Sequence, residues 1–357
     1  MAICFFGSYD RGYARNKILL DGLAELSIPV VHCHSSKGFF VPRYIELIQK
    51  FLKVRTKSSV IFVAYRGHLD VLCGFILAKI FGKKLVFDIF YSLHDTYLHD
   101  RKSIAVHSFS ERMYFLLDTV NCMLSDHVIV LSHATGKFLC NTFTISRKKI
   151  SVVYGGGNEK VFVPHQKSPN RKKVIVEFHG WFTRMQYPEI FIEAAKLLEK
   201  NANIEFWLIG STVNYLKPLQ MLQQEKPKNL VYMKPLSEAK LAKKIALADI
   251  TVGHLGVTQK AHVTLSHKMY HGLAVGSVLI AGDYEATKEV LIDKKTCILV
   301  APGDSGDLAR KIMLLVKNTA LREKIAKNGY ALHASKFTNR QIALSLVKVI
   351  RELGIVL

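Results

Sequence analysis

Acidic residues are scarce in this sequence: 28 Asp and Glu stand against 50 Lys and Arg, a formal net charge of +22 over 357 residues. An imbalance of that size points to an anionic partner, whether a nucleotide-bearing ligand, an acidic membrane face or a nucleic acid. Nucleic acid is disfavoured, because Lys and Arg are dispersed and no reading module is present. Cysteine is sparse too, and Cys4, Cys33, Cys73, Cys122, Cys140 and Cys297 include no Cys-x-x-Cys pair. That excludes a disulfide or zinc framework and suits a reducing compartment, the cytoplasm. Long apolar runs are missing as well. The best candidate, 69–81, contains Asp70 and Lys79 and is well short of the roughly 20 residues that a bilayer core requires. The opening Met-Ala-Ile-Cys-Phe-Phe lacks the basic lead of a secretory signal. Any membrane contact is therefore expected to be peripheral, on the inner face. No low-complexity segment or short-period repeat is visible.

What is present is the composition of a folded chain, 49% hydrophobic and 22% charged, arranged as alternating strands and helices. Apolar runs at 2–6, 29–33, 60–64, 84–89 and 127–131 are separated by helical stretches, and the pattern resumes at 174–178, 205–209, 230–233, 249–253, 278–282 and 297–301. Such alternation predicts doubly wound parallel sheets. Residues 164–173, polar and proline-containing, read as a linker. Gly155-Gly156-Gly157 before it reads as a turn crossing between domains rather than a phosphate cradle.

Two helical segments carry strong patterns. Over 42–53, Tyr44, Ile45, Leu47, Ile48, Phe51 and Leu52 form one broad apolar face beside Arg43, Lys50, Lys53, Arg55 and Lys57. Basic and amphipathic together suit a membrane surface; a helix covering the sheet would read the same way. Over 108–124, Phe109, Met113, Leu116, Leu117 and Val120 recur at helical spacing, which predicts a core-facing stripe.

The motifs concentrate in 248–307. Ala248-Asp249-Ile250, Thr258-x-Lys260-Ala261, Lys268-x-x-His271-Gly-Leu-Ala-x-Gly276, Glu289-Val-Leu and Val300-x-Pro302-Gly303-Asp304 together resemble a retaining, group 1 (GT4-like) nucleotide-sugar glycosyltransferase. The resemblance implies an α/β GT-B fold, two Rossmann-like doubly wound domains facing a cleft. Residues 1–165 would form the acceptor-side domain and 166–335 the nucleotide-sugar-binding domain, with 336–357 a helix crossing back to the first. The family's Glu-x7-Glu pair falls on Val263 and His271, and neither is a carboxylate.

By the same resemblance the donor would meet Gly180, Arg184, Gln186, Lys260, Lys268, His271 and Glu289. Tyr187 stands where glycine is common. A neutral His271 could hold one ribose or sugar hydroxyl. The acceptor side would use Gly7, Tyr9, Arg15, Asn16 and His94 from the loops after the first and fourth strands. Asp95 is the candidate near the acceptor hydroxyl, and Lys260 would stabilise the leaving diphosphate. The implied activity is transfer of a sugar, with retention, to a lipid-linked or saccharide acceptor in cell-envelope or polysaccharide synthesis. No cofactor or metal is called for. The alternative is a GT-B scaffold that binds a membrane or partner without turnover. His267 and His271 could share a helix face as in zinc hydrolases, but Lys268 fills the place of the catalytic glutamate.

Overall fold

The computed structural model describes residues 1–165, 171–212 and 214–357; residues 166–170 of the expected linker lie outside them. The chain divides into two compact units. Met1–Leu98, Lys102–Gly155 and Asn339–Leu357 form the first; His99–Arg101 and Gly156–Thr338 form the second.

The first unit runs β1 (Ala2–Gly7), α1 (Ala14–Glu25), β2 (Val30–His34), α2 (Phe40–Val54), β3 (Ser58–Val63), α3 (Val71–Ile80), β4 (Lys84–Asp88), the single turn α4 (Leu93–Asp95), α5 (Phe109–Leu124), β5 (His127–Val130), α6 (His133–Phe143) and β6 (Ile150–Val152). The second runs β7 (Val174–Trp181), α7 (Pro188–Leu197), β8 (Ile204–Ser211), α8 (Lys217–Gln224), β9 (Leu230–Met233), α9 (Glu238–Leu247), β10 (Ile250–Val252), α10 (Gln259–Val263), α11 (His267–Ala274), β11 (Val278–Gly282), α12 (Glu285–Lys288), β12 (Ile298–Val300), α13 (Ser305–Lys317) and α14 (Thr319–Lys336). The last helix, α15 (Asn339–Glu352), belongs to the first unit.

Among the described residues each unit is built on one six-stranded parallel sheet, ordered β2-β1-β3-β4-β5-β6 in the first and β12-β11-β10-β7-β8-β9 in the second. Strands such as β1 and β11 are buried along their whole length, as strands covered by helices on both faces must be. This is the GT-B pattern of two Rossmann-like sheets. The order reverses between β1 and β3 in one sheet and between β10 and β7 in the other, and ligands of open α/β sheets gather at the carboxyl ends of the strands at such a switch point.

The division falls between Gly155 and Gly156, upstream of the boundary expected at 165. Phe162 explains the shift, for it packs with Ala242, Ile245 and Ala274 in a core of the second unit. Helix α15 lies against α1, where Gly22 is required: a Cβ there would come within 2.0 Å of the Asn339 carbonyl oxygen.

The stripe expected to face the core on α5 faces outward instead. Phe109 is 81% exposed and Leu116 61%. The helix meets the unit through Asp118, Asn121 and Cys122: Cys122 enters the core, Asn121 Nδ2 donates to the His68 carbonyl at 2.8 Å and Asp118 Oδ2 accepts from His94 N at 3.0 Å. The period is helical, but the phase is set by those polar ties. The apolar face read over 42–53 likewise splits in two. Leu47 and Phe51 enter the core, whereas Ile45, Ile48 and Leu52 are exposed.

Candidate active site at the second switch point

The carboxyl end of β7 carries Glu177, Phe178, His179 and Gly180, and β10, its neighbour across the switch point, is followed by His254. Strand β7 alternates, so Glu177 and His179 share the face opposite Val176 and Phe178, as buried polar residues in an apolar strand. Such residues need partners. His179 Nδ1 lies 3.0 Å from Glu177 Oε2, and His179 Nε2 lies 3.1 Å from His271 Nδ1 on α11. The His271 ring stacks on Phe162 with centroids 3.8 Å apart. Burial holds His271 well below the usual histidine range, with the neighbouring His179 acting in the same direction.

With both imidazoles neutral, this chain of bonds fixes the tautomers. A carboxylate only accepts, so His179 donates to Glu177 through Nδ1 and its Nε2 is an acceptor. His271 must then donate from Nδ1, which leaves its Nε2 as an acceptor. The carboxylate expected at position 271 is thus replaced by a histidine that Glu177 orients through a second imidazole.

Lys268 lies one turn earlier on α11. It is 4% exposed, its Nζ sits 3.2 Å from the centroid of the Phe178 ring, and it has no hydrogen-bond partner. Burial pushes this ammonium well below the ordinary lysine range, opposed by the Glu177 carboxylate. A buried charge without a partner is costly. Beside it Gly180 adopts φ +124, and a Cβ there would meet Lys268 Cε at 3.7 Å and Nζ at 3.9 Å. The bare glycine therefore leaves space on the side of the ammonium.

Lys260, expected to meet the diphosphate, is buried. Its Nζ pairs with Asp100 Oδ2 at 3.3 Å, and Asp100 Oδ1 accepts from Met185 N at 2.8 Å. Thr258 caps α10 by accepting from Ala261 N. His254 ties the two lysine segments together, contacting Ser266 Oγ at 3.1 Å and the Ala261 carbonyl at 3.0 Å. Its ring stacks on Tyr284, and burial holds its pKa down at about 4.

The loop after β7 rests on the loop after β10. Gly256 N donates to the Met185 carbonyl at 3.0 Å and Leu255 N to the Gln186 carbonyl at 3.2 Å, so a Cβ on Gly256 would strike the Arg184 carbonyl. The Gln186 side-chain Oε1 is buried without a partner, whereas the Arg184 guanidinium lies over the Tyr215 ring at 5.2 Å. Tyr187 holds φ +52, the left-handed conformation that favours glycine. Glu289 follows α12 and is half-buried.

Several residues expected to face an acceptor are instead structural parts of the first unit. Arg15 is fully buried and binds Asp88 at 2.8 Å and the carbonyls of Val153 and Tyr154. Asn16 is buried too, donating to the Asp10 and Tyr65 carbonyls. The Tyr9 hydroxyl pairs with His32 Nδ1 at 2.6 Å inside the unit. His94 packs its ring on Phe115 and Phe143, and Asp95 is buried with its amide on Ser92 Oγ. Gly7, at φ +115, makes room for Asp70, whose Oδ2 accepts from Ser8 N at 2.8 Å. These residues end or follow the first and fourth strands, and the segments beyond strand ends are also where a sheet ties down its loops.

Glu177, His179 and His254 escaped a functional assignment. Their signal was faint, a polar side chain within or directly after an apolar strand. Among the described residues no group of three His, Cys, Asp or Glu side chains could hold a metal ion. His267 and His271 do not converge on one; His271 is bonded to His179, and His267 Nδ1 lies 3.4 Å from the Gly156 carbonyl.

Residues 162–332 match the family model of the glycosyl transferases group 1. A relative from Methanocaldococcus jannaschii, an uncharacterized glycosyltransferase, is 23% identical over 313 residues, covering 83% of this chain and 75% of its own. Among solved structures, HepE of Anabaena in complex with UDP superposes with a TM-score of 0.72 at 17% identity, covering 99% of this chain and 100% of that one. HepE has also been crystallised with UDP-glucose. Sucrose-phosphate synthase from Thermosynechococcus elongatus gives 0.73 at 15% identity, with 99% of each chain covered. The fold is GT-B.

Proposed function

Because the second unit belongs to the group 1 glycosyl transferases, we propose that this chain transfers a sugar, with retention, from a nucleotide-sugar donor to a saccharide or lipid-linked acceptor. The observation that carries the reading is Lys268, a buried ammonium with no partner, beside a glycine at the switch point of the second sheet. A diphosphate supplies what Lys268 Nζ lacks, charged acceptor oxygens within hydrogen-bond reach. The UDP and UDP-glucose complexes of HepE support a nucleotide donor.

In the mechanism that follows, Lys268 neutralises the charge that grows on the diphosphate as the bond to the anomeric carbon breaks. Stabilisation that strengthens in the transition state is what accelerates the step. Lys260 adds to it once its bond to Asp100 is exchanged for phosphate, and Gln186 Oε1 can accept from a donor hydroxyl. His271 Nε2, an acceptor by the Glu177–His179 chain, orients one hydroxyl of the ribose or sugar, the task a glutamate would perform there. The acceptor hydroxyl attacks on the face the diphosphate leaves, and its proton passes to the departing phosphate oxygen.

The test is a panel of UDP-, GDP- and ADP-sugars presented to the purified protein, with thermal shift, slow donor hydrolysis and the anomeric configuration of the released sugar recorded. One nucleotide class should stabilise the protein and be hydrolysed with retention. Stabilisation without hydrolysis would mark a binding protein, and neither effect would overturn the donor site.

A further inference from the structure

An apolar surface on the first unit serves neither its core nor the candidate site. Helices α2, α3 and α5 cover one face of the sheet, sending Leu47, Phe51, Val71, Leu77 and Cys122 into a single core cluster. Each helix also carries a second apolar stripe on the side away from the sheet. On α2 it is Val41, Ile45, Ile48 and Leu52; on α3, Leu72, Ile76 and Ile80; all are exposed. On α5 it is Phe109, Met113, Leu116, Val120 and Met123, again exposed. Spacings of three and four residues put each set on one line of its helix.

The three lines belong to one surface because the helices are neighbours. The Phe51 and Phe81 rings lie 5.6 Å apart and the Tyr44 hydroxyl donates to the Leu69 carbonyl, which joins α2 to α3. Asn121 of α5 donates to the His68 carbonyl just ahead of α3. Single exposed leucines are ordinary, but a contiguous apolar patch marks an interaction surface.

Charge identifies the partner. The exposed charged side chains on these helices are Lys53, Lys79 and Arg112, all basic. The carboxylates are withdrawn: Glu46 is held by Lys50 and Ser35, Glu111 caps the start of α5, and Asp118 is buried. Apolar side chains interspersed with long cations, a class of side chain that can lay its stem along hydrocarbon while its head reaches outward, suit a bilayer of anionic headgroups. A second copy of the chain would set the same cations against one another across a two-fold axis. We infer that the outer faces of α2, α3 and α5 form one docking surface for an anionic lipid bilayer, holding the protein at the interface without a spanning helix.

The inference is independent of sugar transfer and is tested without a donor. The full chain is floated with vesicles of zwitterionic lipid and with vesicles containing anionic phosphatidylglycerol, across a salt series. It should float with the anionic vesicles and progressively less as salt rises. The outward substitutions Leu72→Gln, Ile76→Gln, Met113→Gln and Leu116→Gln, combined, should leave circular dichroism and melting unchanged and lower the partition coefficient at least about tenfold, since interfacial binding scales with buried apolar area. A second variant, Lys53→Glu, Lys79→Glu and Arg112→Glu, should remove the preference for anionic vesicles. No flotation of the full chain, or undiminished flotation of the first variant, overturns the proposal. So does a dimer in light scattering that the first variant converts to monomer, which would assign the surface to a second copy.

Discussion

The two switch points of this protein each lie beside the first strand of their sheet, β1 and β7, and hold opposite contents. In the first sheet the position beside Gly7 is filled by Asp70, a buried carboxylate that binds Ser8 and pairs with Arg43 at 3.1 Å. In the second, the position beside Gly180 holds the Lys268 ammonium, over the Phe178 ring and with no hydrogen-bond partner. One site is closed by its own counter-ion; the other waits for one. A parallel sheet thus supplies a place for a ligand, and the side chains decide whether that place is a joint or a pocket.

The strongest way to break this contrast is to remove each charge. Asp70→Ala strands Arg43, which is 5% exposed, and should destabilise the first unit by about 3–5 kcal/mol, read by denaturant unfolding. Lys268→Ala should do the reverse. With the unpartnered ammonium gone the melting temperature should hold or rise, while donor turnover falls about 10²–10³-fold. A fall in both melting temperature and turnover would make Lys268 a structural residue and the second switch point a joint like the first.

Acidification should separate the units by a smaller amount. His254 and His333 of the second unit are both held down at about 4 by burial. A histidine depressed in the fold contributes stability that is intact above its unfolded pKa near 6.5 and is lost as pH falls toward 4. At pH 5 that loss is on the order of 1–2 kcal/mol for each. Glu189, raised by burial, opposes them in part. In the first unit His68 behaves as they do, but burial pushes Asp118 up to about 7, so the penalty for ionising it disappears as pH falls through 7 toward the unfolded carboxylate value. Amide protection factors, corrected for the slower intrinsic exchange at low pH, should fall more in the second unit than in the first between pH 7 and pH 5.

The finest test lies within the second site. Glu177→Gln keeps the shape of the side chain, but its amide can turn a donor toward His179 and reverse both imidazoles, so that His271 Nε2 presents a proton instead of a lone pair. Donor affinity should drop by about tenfold, the scale of one hydrogen bond to a charged or oriented group. His179→Asn in the same background should cause little further loss if the two residues act as one chain. Additive losses would show that His271 takes its orientation from Phe162 alone.

The sequence by itself determined the sheets, because runs such as Ala2–Gly7 and Val278–Gly282 can only be buried on both faces, and the helical stretches between them allow only parallel connections. It also placed Gly180, Lys268 and His271 on the segments that meet at the second switch point. Tertiary structure alone decided what those side chains do. Arg15 and Lys268 read alike as basic residues beyond strand ends, yet one has Asp88 opposite it and the other has an aromatic ring and no hydrogen-bond partner. The stripe on α5 shows the same limit, since a helical period fixes which residues share a face but not which way that face turns. That was set by Asn121 and Asp118, whose hydrogen bonds to distant backbone outweighed hydrocarbon in choosing the inner side. Periodicity is a local property of the chain, whereas counter-ions and hydrogen-bond partners come from segments that only the fold brings near.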